Sequence, residues 1–337
     1  MKAFQLHGQS GPESLRLVEI PEPRPGPGQV LIRVRANSLN YRDLMIADGR
    51  YGKINLPLVP LSDGAGEIIA VGPGVARWQT GDRVAGTFFQ GWSSGTYRRE
   101  ILGTALGGAL GGMLAEFVVL SEAGVVAIPA QLSFAEAATL PCAGVTAWHA
   151  LVARGRVGAH ETVLLLGTGG VSLFALQIAR LHGARTIITS GSDEKLVRAR
   201  ALGADATINY QTTPDWDEEV FRLTQKQGVD HVVEVGGTGT FPKSLRSLAA
   251  NSQVHVVGGV SGFTSDIPLR EILGRLATIN GIFVGSREMF EGFNRAIIQN
   301  GLKPVIDRVF PFEDAPAAYR HLQSGNHFGK VVVSSGD

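Results

Sequence analysis

The feature that most constrains this chain is a stretch from Thr162 to Ala179 that carries no charge and holds glycines at 167, 169 and 170. A bilayer-crossing helix needs about 20 predominantly apolar residues, and glycines near its start would add nothing to it. A buried strand (TVLLLG, 162–167), a tight turn and a buried helix (VSLFALQIARLHG, 171–183, closed by Gly183) account for the same residues. The flanking sequence keeps that rhythm. TIITS (186–190) reads as a strand and DEKLVRARALG (193–203) as a helix; DATINY, VDHVVEVGG, QVHVVGGV and ATINGIFVG (277–285) read as further strands. Strands alternating with helices at this spacing predict an α/β region with a doubly wound parallel sheet of the Rossmann kind.

The remainder reads differently. At 337 residues the chain is too long for one ordinary core, so two domains are expected. The first 125 or so residues are short apolar runs broken by Gly and Pro, including VLIRVRANSLN (30–40), GEIIAVGPG (66–74) and GDRVAG (81–86). Short strands with frequent turn signals predict a β barrel or sandwich. PEPRPGPGQ (21–29) is a surface connector, because alternating prolines cannot join a central strand. A helix with a kink or boundary at Pro141 is expected over Ala135 to Val152. The tail from about Ser286 holds a helix, an extended VIDRVFPFE, a short helix and a last strand, KVVVS.

Charge and cysteine content narrow the function. A net charge of +1 with interspersed acids and bases gives no footprint for nucleic acid or a membrane surface. The single cysteine, Cys142, excludes an intrachain disulfide and a multi-cysteine metal site. The opening MKAFQLHGQSGPESL lacks the apolar core of a signal peptide, so a soluble, cytoplasmic protein is expected.

Gly167, Gly169 and Gly170 lie between strand and helix, where backbone N–H groups and a helix N-terminus can meet a pyrophosphate. Ser172 replaces the third glycine, so the pattern is G-x-G-x-x-S; serine is still small enough for close helix–strand packing. The strand, helix and second strand around the turn predict dinucleotide binding. An NAD-specific fold presents an acid about 20 residues later. Here Ser190, Gly191 and Ser192 stand in that place, with Lys195 close by. Hydroxyls and an ammonium suit a 2′-phosphate, which a carboxylate would repel, so NADP(H) is the expected cofactor. Asp193 and Glu194 fit a first helical turn; Lys195 as a merely solvated helix residue is the bland alternative.

Several motifs in matching order resemble the medium-chain dehydrogenase/reductase superfamily: NYRDLMIADGRYG (40–52), GAGEIIAVGPGV (64–75), GDRVAG (81–86), LLLGTGGVS (164–172) and HFGKVVVS (327–334). The resemblance implies a GroES-like β-barrel domain over 1–128, a Rossmann NADP-binding domain over 129–286, and a return segment, 287–337, that completes the first. It also implies a homodimer through ATINGIFVG, an apolar edge strand that pairing would protect. The zinc-bearing members have three metal ligands, and by motif these fall on Asn40, Ser62 and Cys142. The segment from Phe88 to Phe117 lacks the four cysteines of their structural zinc lobe, and its GTALGGALGGMLA reads as a flexible loop. The chain is therefore most similar to the zinc-free quinone oxidoreductase and enoyl reductase branch.

On that resemblance Tyr51, in GRYG, corresponds to a proton-donating tyrosine; a partly buried loop aromatic is the alternative. Asn40 is expected to face the nicotinamide and bind a substrate oxygen, against a turn-capping role. Arg42 and Asp43 are expected to pair or cap, and Cys142 to be a small buried hydrophobe rather than a nucleophile. Thr146 is expected to border the nicotinamide, and Gly258, Gly259 and Val260 to end a strand at the ligand-binding edge. Val171, Tyr210, Phe283, Gly329 and Lys330 complete the expected cofactor contacts. Phe88, Phe89 and Trp92 are candidates for an apolar substrate pocket or for ordinary packing. None of the eight histidines shows metal-ligand spacing.

The expected activity is NADPH-dependent hydride transfer to a small apolar quinone or to a C=C bond conjugated to a carbonyl. Preorganised hydrogen-bond donors would replace the metal at the developing oxyanion. Alternatives are a zinc-independent alcohol or aldehyde dehydrogenase and a non-catalytic nucleotide-binding protein.

Overall fold

The structure is a computed structural model that describes residues 1–336. Among these, the strands are β1 (Lys2–Leu6), β2 (Leu15–Glu19), β3 (Gln29–Ser38), β4 (Asp63–Val71), β5 (Arg83–Gly86), β6 (Phe117–Ser121), β7 (Val125–Ala127), β8 (Thr162–Leu165), β9 (Arg185–Ser190), β10 (Ala206–Asn209), β11 (Val229–Glu234), β12 (Leu248–Val256), β13 (Thr278–Gly281), β14 (Ile306–Pro311) and β15 (Lys330–Ser334). They divide between two compact units, Met1–Val145 with Val284–Asp337 and Thr146–Phe283. The junctions thus fall at 145/146 and 283/284, against 128/129 and 286/287 expected from the sequence. Residues 129–145 stay with the first unit because the helix Phe134–Ala137 packs on β3, β4 and β15.

In the first unit the sheet runs β14-β15-β3-β4-β5-β7, with β6 also paired to β3. On one face of β3, Val30, Ile32 and Val34 are buried with Ile68, Val84, Leu120 and Val125; on the other, Leu31 is buried and Arg33 exposed. A second core gathers Phe4, Leu6, Leu39, Leu44, Leu61, Phe312 and Tyr319 around Val331 and Val333 of β15. Each such aliphatic side chain, taken out of water, contributes about 1.5–3 kcal/mol. The strand arriving from the far end of the chain is therefore a core element. The glycine-rich segment expected to be a flexible loop is packed instead: Leu106, Met113, Leu114 and Ala115 are buried. A side chain at Gly112 would meet the Pro60 carbonyl oxygen at 2.2 Å.

In the second unit all neighbouring strands are parallel, in the order β10-β9-β8-β11-β12-β13. The first strand by sequence is central and the order reverses beside it, which is the topological switch point of a Rossmann sheet. The apolar helix Gly170–Leu181 packs on β8 and β9, and Gly183 ends it with a φ of +75° that favours glycine. The helix expected over 135–152 is a helical run interrupted by π turns at Leu140–Gly144 and His149–Arg154, with Pro141 the second residue of the first.

Candidate active site

In the second unit the turn after β8 is built to be approached. Gly167 has φ +72°, and side-chain carbons placed at Gly167 or Gly169 would meet nothing within 4 Å. Gly169 is the N-cap of Gly170–Leu181 and offers no side-chain cap. The first-turn N–H groups, including that of Val171, thus lack a side-chain partner from the cap. Ser172 sits below, donating its hydroxyl to the Leu166 carbonyl at 2.6 Å, the tie between strand and helix that its position suggested. An open turn at a helix N-terminus is the geometry that a pyrophosphate requires.

The neighbouring strand ends continue this edge. Ser190 closes β9, and its Oγ accepts from the Ser192 N–H at 3.3 Å. Ser192 caps the helix Asp193–Ala201 through the Lys195 N–H. Asp193, the acid of that first turn, accepts from Asn209 Nδ2 at 2.7 Å. Tyr210 follows β10, its N–H on the Ser190 carbonyl and its ring against Gly191. Gly258 and Gly259 follow β12; Val260 and Phe283 are exposed. The sheet therefore brings together Gly167, Gly169, Gly170, Val171, Ser190, Ser192, Lys195, Tyr210 and 258–260 at the C-terminal ends of its parallel strands. Thr146 is buried where this unit begins. One contributor lacked a sequence signal: buried Glu234, whose carboxylate accepts from the N–H groups of Gly236 and Gly237 and from Thr240 and Ser244, fixing the loop after β11.

The first unit holds the other candidates. Asn40 precedes the helix Tyr41–Ala47, and its N–H donates to Asp43 Oδ2 at 2.7 Å, the cap expected of Asp43. Arg42 is buried, 3.5 Å from Asp43 Oδ1, and donates to the Leu106 carbonyl at 3.1 Å. Its guanidinium lies between two rings, 4.9 Å from the centre of Tyr51 and 4.7 Å from that of Phe88. Its Nε and Nη2 make no well-formed hydrogen bond, which the pairing expectation did not foresee. Half-buried Tyr51 thus stands beside a fixed cation. Phe88, Phe89, Trp92 and Tyr97 form an edge-on aromatic cluster in which the first three are buried.

Asn40, Ser62 and Cys142 meet around two charged groups, Asp63 and Lys330. Asp63, fully buried, accepts from Ser62 Oγ at 2.7 Å and from the Cys142 N–H at 3.2 Å. Lys330, expected against the cofactor, is 3% exposed and turns its ammonium inward, to the Leu39 carbonyl at 2.6 Å and to Asn40 Oδ1 at 2.5 Å. Gly329 beside it has φ +90° and lies against the Val305 carbonyl, so its glycine is explained by packing.

Burial raises the Asp63 carboxyl's pKa; the Lys330 ammonium offsets this, as do Ser62 and the Asn40 amide, although Asn40 Nδ2 makes no well-formed hydrogen bond. Burial likewise pushes Asp43 up to about 6, against the pull of Arg42. Burial, then the nearby Asp63 charge, pushes the Cys142 thiol's pKa up, which suits a thiol that is no nucleophile, although the residue is half-buried rather than fully buried as expected. Burial pulls the Lys330 ammonium down while Asp63 holds it up. The lone charged residue within the apolar run KVVVS was the available signal for that buried cation.

A parallel sheet with a dinucleotide-type turn, in a chain whose other unit is β-barrel-like and carries polar groups in its core, defines a nicotinamide-dependent oxidoreductase architecture. The comparisons agree. The family described as "Alcohol dehydrogenase GroES-like domain" matches residues 26–130, and "Zinc-binding dehydrogenase" matches 170–299. A zinc-type alcohol dehydrogenase-like protein of Schizosaccharomyces pombe is 44% identical over 98% of both chains. A quinone oxidoreductase of Pongo abelii is 31% identical over 99% of this chain and 97% of its own. An acryloyl-coenzyme A reductase of Metallosphaera sedula is 30% identical over 99% and 100%. Among solved structures, a putative alcohol dehydrogenase from Sinorhizobium meliloti superposes with TM-score 0.93 at 42% identity, covering 99% and 98%. An NAD-dependent alcohol dehydrogenase does so with TM-score 0.91 at 38% identity over the whole of both chains. The chain belongs to the medium-chain dehydrogenase/reductase superfamily and is an oxidoreductase of that family.

The zinc that some relatives' names carry does not suit the residues at its three positions. Asn40 gives its oxygen to an ammonium, Ser62 gives its hydroxyl to Asp63, and Cys142 alone offers a ligand-type side chain; catalytic zinc takes three. Among the described residues no helix is long and apolar enough to cross a membrane.

Proposed function

We propose that the chain is an NADPH-dependent reductase of quinones or of C=C bonds conjugated to a carbonyl, working without zinc. The observation that carries this reading is the Lys330 ammonium seated on Asn40, where relatives of the zinc type place a metal ligand. Acceptors that are already electron-poor need only hydrogen-bond donors at their carbonyl oxygen, whereas a simple ketone benefits far more from a metal. Two relatives fit by name, a quinone oxidoreductase and a reductase of an acyl-coenzyme A.

The open turn at Gly167–Gly170 and the hydroxyls of Ser190 and Ser192 suit a dinucleotide bearing a 2′-phosphate, with Lys195 and Tyr210 beside them. Bound NADPH supplies a hydride. The chain's own part begins at Asn40: its oxygen is engaged by Lys330 and its buried NH₂ end lies toward Asp63, so it donates to a substrate carbonyl oxygen only by turning from that carboxylate. Tyr51 then gives its phenolic proton to the reduced acceptor. Half-buried Tyr97, backed by the buried rings of Phe88, Phe89 and Trp92, supplies apolar surface for a small conjugated substrate.

A homodimer belongs to the same reading. β13 is the end of its sheet, and Phe263, Leu269, Leu273 and Leu276 nearby are each at least 66% exposed, apolar area that a symmetry mate would cover. The cytoplasm is the proposed compartment. The NAD-dependent alcohol dehydrogenase among the solved structures favours a second reading, zinc-independent alcohol oxidation with NAD.

Cofactor titration and an oxidation assay against quinones, enones, enoyl thioesters and alcohols separate the two. NADPH is expected to bind more tightly than NADH and to be oxidised by a conjugated acceptor. Tyr51→Phe should lower turnover by roughly 10²–10⁴-fold with NADPH affinity kept. Equal cofactor affinities with turnover only on alcohols would replace the first reading by the second.

A further inference from the structure

We propose that Lys330 takes the place of the catalytic metal: its ammonium is the built-in cation at the position where zinc-bearing relatives hold theirs, and it positions Asn40 for the reaction. The three ligand positions all lie within this one polar cluster, and each side is accounted for. Asn40 Oδ1 receives Lys330 Nζ at 2.5 Å, and the Leu39 carbonyl receives it at 2.6 Å. Ser62 and the Cys142 N–H both turn to Asp63. The negative charge that balances the ammonium is thus part of the same cluster, as a buried cation requires.

Delivery of the ammonium is rigid. Lys330 opens β15, which lies between β14 and β3, and Gly329 is pressed against the Val305 carbonyl. A divalent ion at the same place would meet a cation that cannot swing away, with only one ligand-type side chain to hold it.

The consequence for chemistry lies in the orientation of the Asn40 amide. An ammonium has no acceptor, so it can bind only the amide oxygen, and the NH₂ end is forced to face the other way. Lys330 is therefore a positioning residue: it fixes the Asn40 amide with its oxygen on the ammonium and its NH₂ end toward Asp63, so the order of this cluster depends on the cation. Its Nζ is spent inside the first unit, so it is not a cofactor phosphate ligand. The kinetic arm of the test below rests on the function proposed above, and the metal arm does not.

Wild-type protein, stripped of metal and dialysed against Zn²⁺ or Co²⁺, should retain no stoichiometric ion by elemental analysis. One tightly held ion per chain overturns the proposal, whatever the variants do. Lys330→Met keeps length and loses charge. It should lower turnover roughly 10–100-fold, as for loss of a charge-assisted hydrogen bond, with the NADPH dissociation constant within about twofold. In Lys330→Ala, ethylammonium should restore turnover and propan-1-ol, the neutral control of similar size, should not. Wild-type turnover in Lys330→Met overturns the positioning role, as does equal rescue by the alcohol. A loss confined to NADPH affinity would make Lys330 a cofactor ligand instead. If no acceptor or alcohol is turned over by wild type, the functional reading fails while the metal titration still decides the cation.

Discussion

Two glycine-rich segments, GTGG at 167–170 and GGALGG at 107–112, look alike on paper and do opposite things. In the first, side-chain carbons placed at Gly167 and Gly169 point into open space. In the second, a carbon at Gly107 would lie 2.5 Å from the Leu61 backbone, and one at Gly112 would lie 2.2 Å from the Pro60 oxygen. Both segments exploit the missing Cβ. One leaves the room for a guest from outside, and the other gives it to the chain's own backbone. Glycine reports that something comes close; only the fold says what.

That contrast can be broken by substitution. Gly112→Ala forces a carbon into a carbonyl that cannot step aside, and thermal or denaturant melting should show a loss of about 3 kcal/mol or more. Unchanged stability would mean that the segment is looser than described. Gly169→Ser should do the reverse. Serine is a favoured N-cap and has room, so stability should hold within about 0.5 kcal/mol, while dinucleotide affinity falls by about 2 kcal/mol because the approach is filled. Titration with NADPH checks it. Lys195→Ala sharpens the identity of the guest, with NADPH binding weakened by about 1–2 kcal/mol and NADH binding left alone. Gly111→Ala is the internal control. It lies between the packed glycines but meets nothing within 4 Å, so stability should move by no more than about 0.5 kcal/mol.

The second unit was legible because its signals are local: a charge-free strand, a glycine turn and a closing Gly183 fall within one span from 162 to 183. The first unit was legible as short strands, and its motif order pointed to the family. Its site was not readable at the same depth. Lys330 and Asn40 are separated by 290 residues, and no periodicity links them. Their meeting depends on β15 pairing with β3, a fact of topology. No local pattern singles out Asp63, yet it is fully buried. Arg42 pairs with Asp43 as expected; what no local pattern showed is that its guanidinium also lies over the rings of Tyr51 and Phe88. The glycines at 107 and 112 misled because low complexity suggests looseness, and close backbone packing leaves the same composition.

The pairing of β15 with β3 also has a history in time. A ribosome releases a chain from its N-terminus, and domains tend to fold as units as they emerge. The second unit is contiguous, Thr146–Phe283, so it can close while later residues are still being made. The first cannot. Its sheet waits, with the Val331 and Val333 places in its core unfilled, until residues 330–334 arrive. The cation of the polar cluster comes with that last strand, so assembly of the site and completion of the sheet are one event. A half-made chain therefore holds Asn40, Ser62 and Asp63 early, and lacks the ammonium that Asn40 accepts in the finished fold.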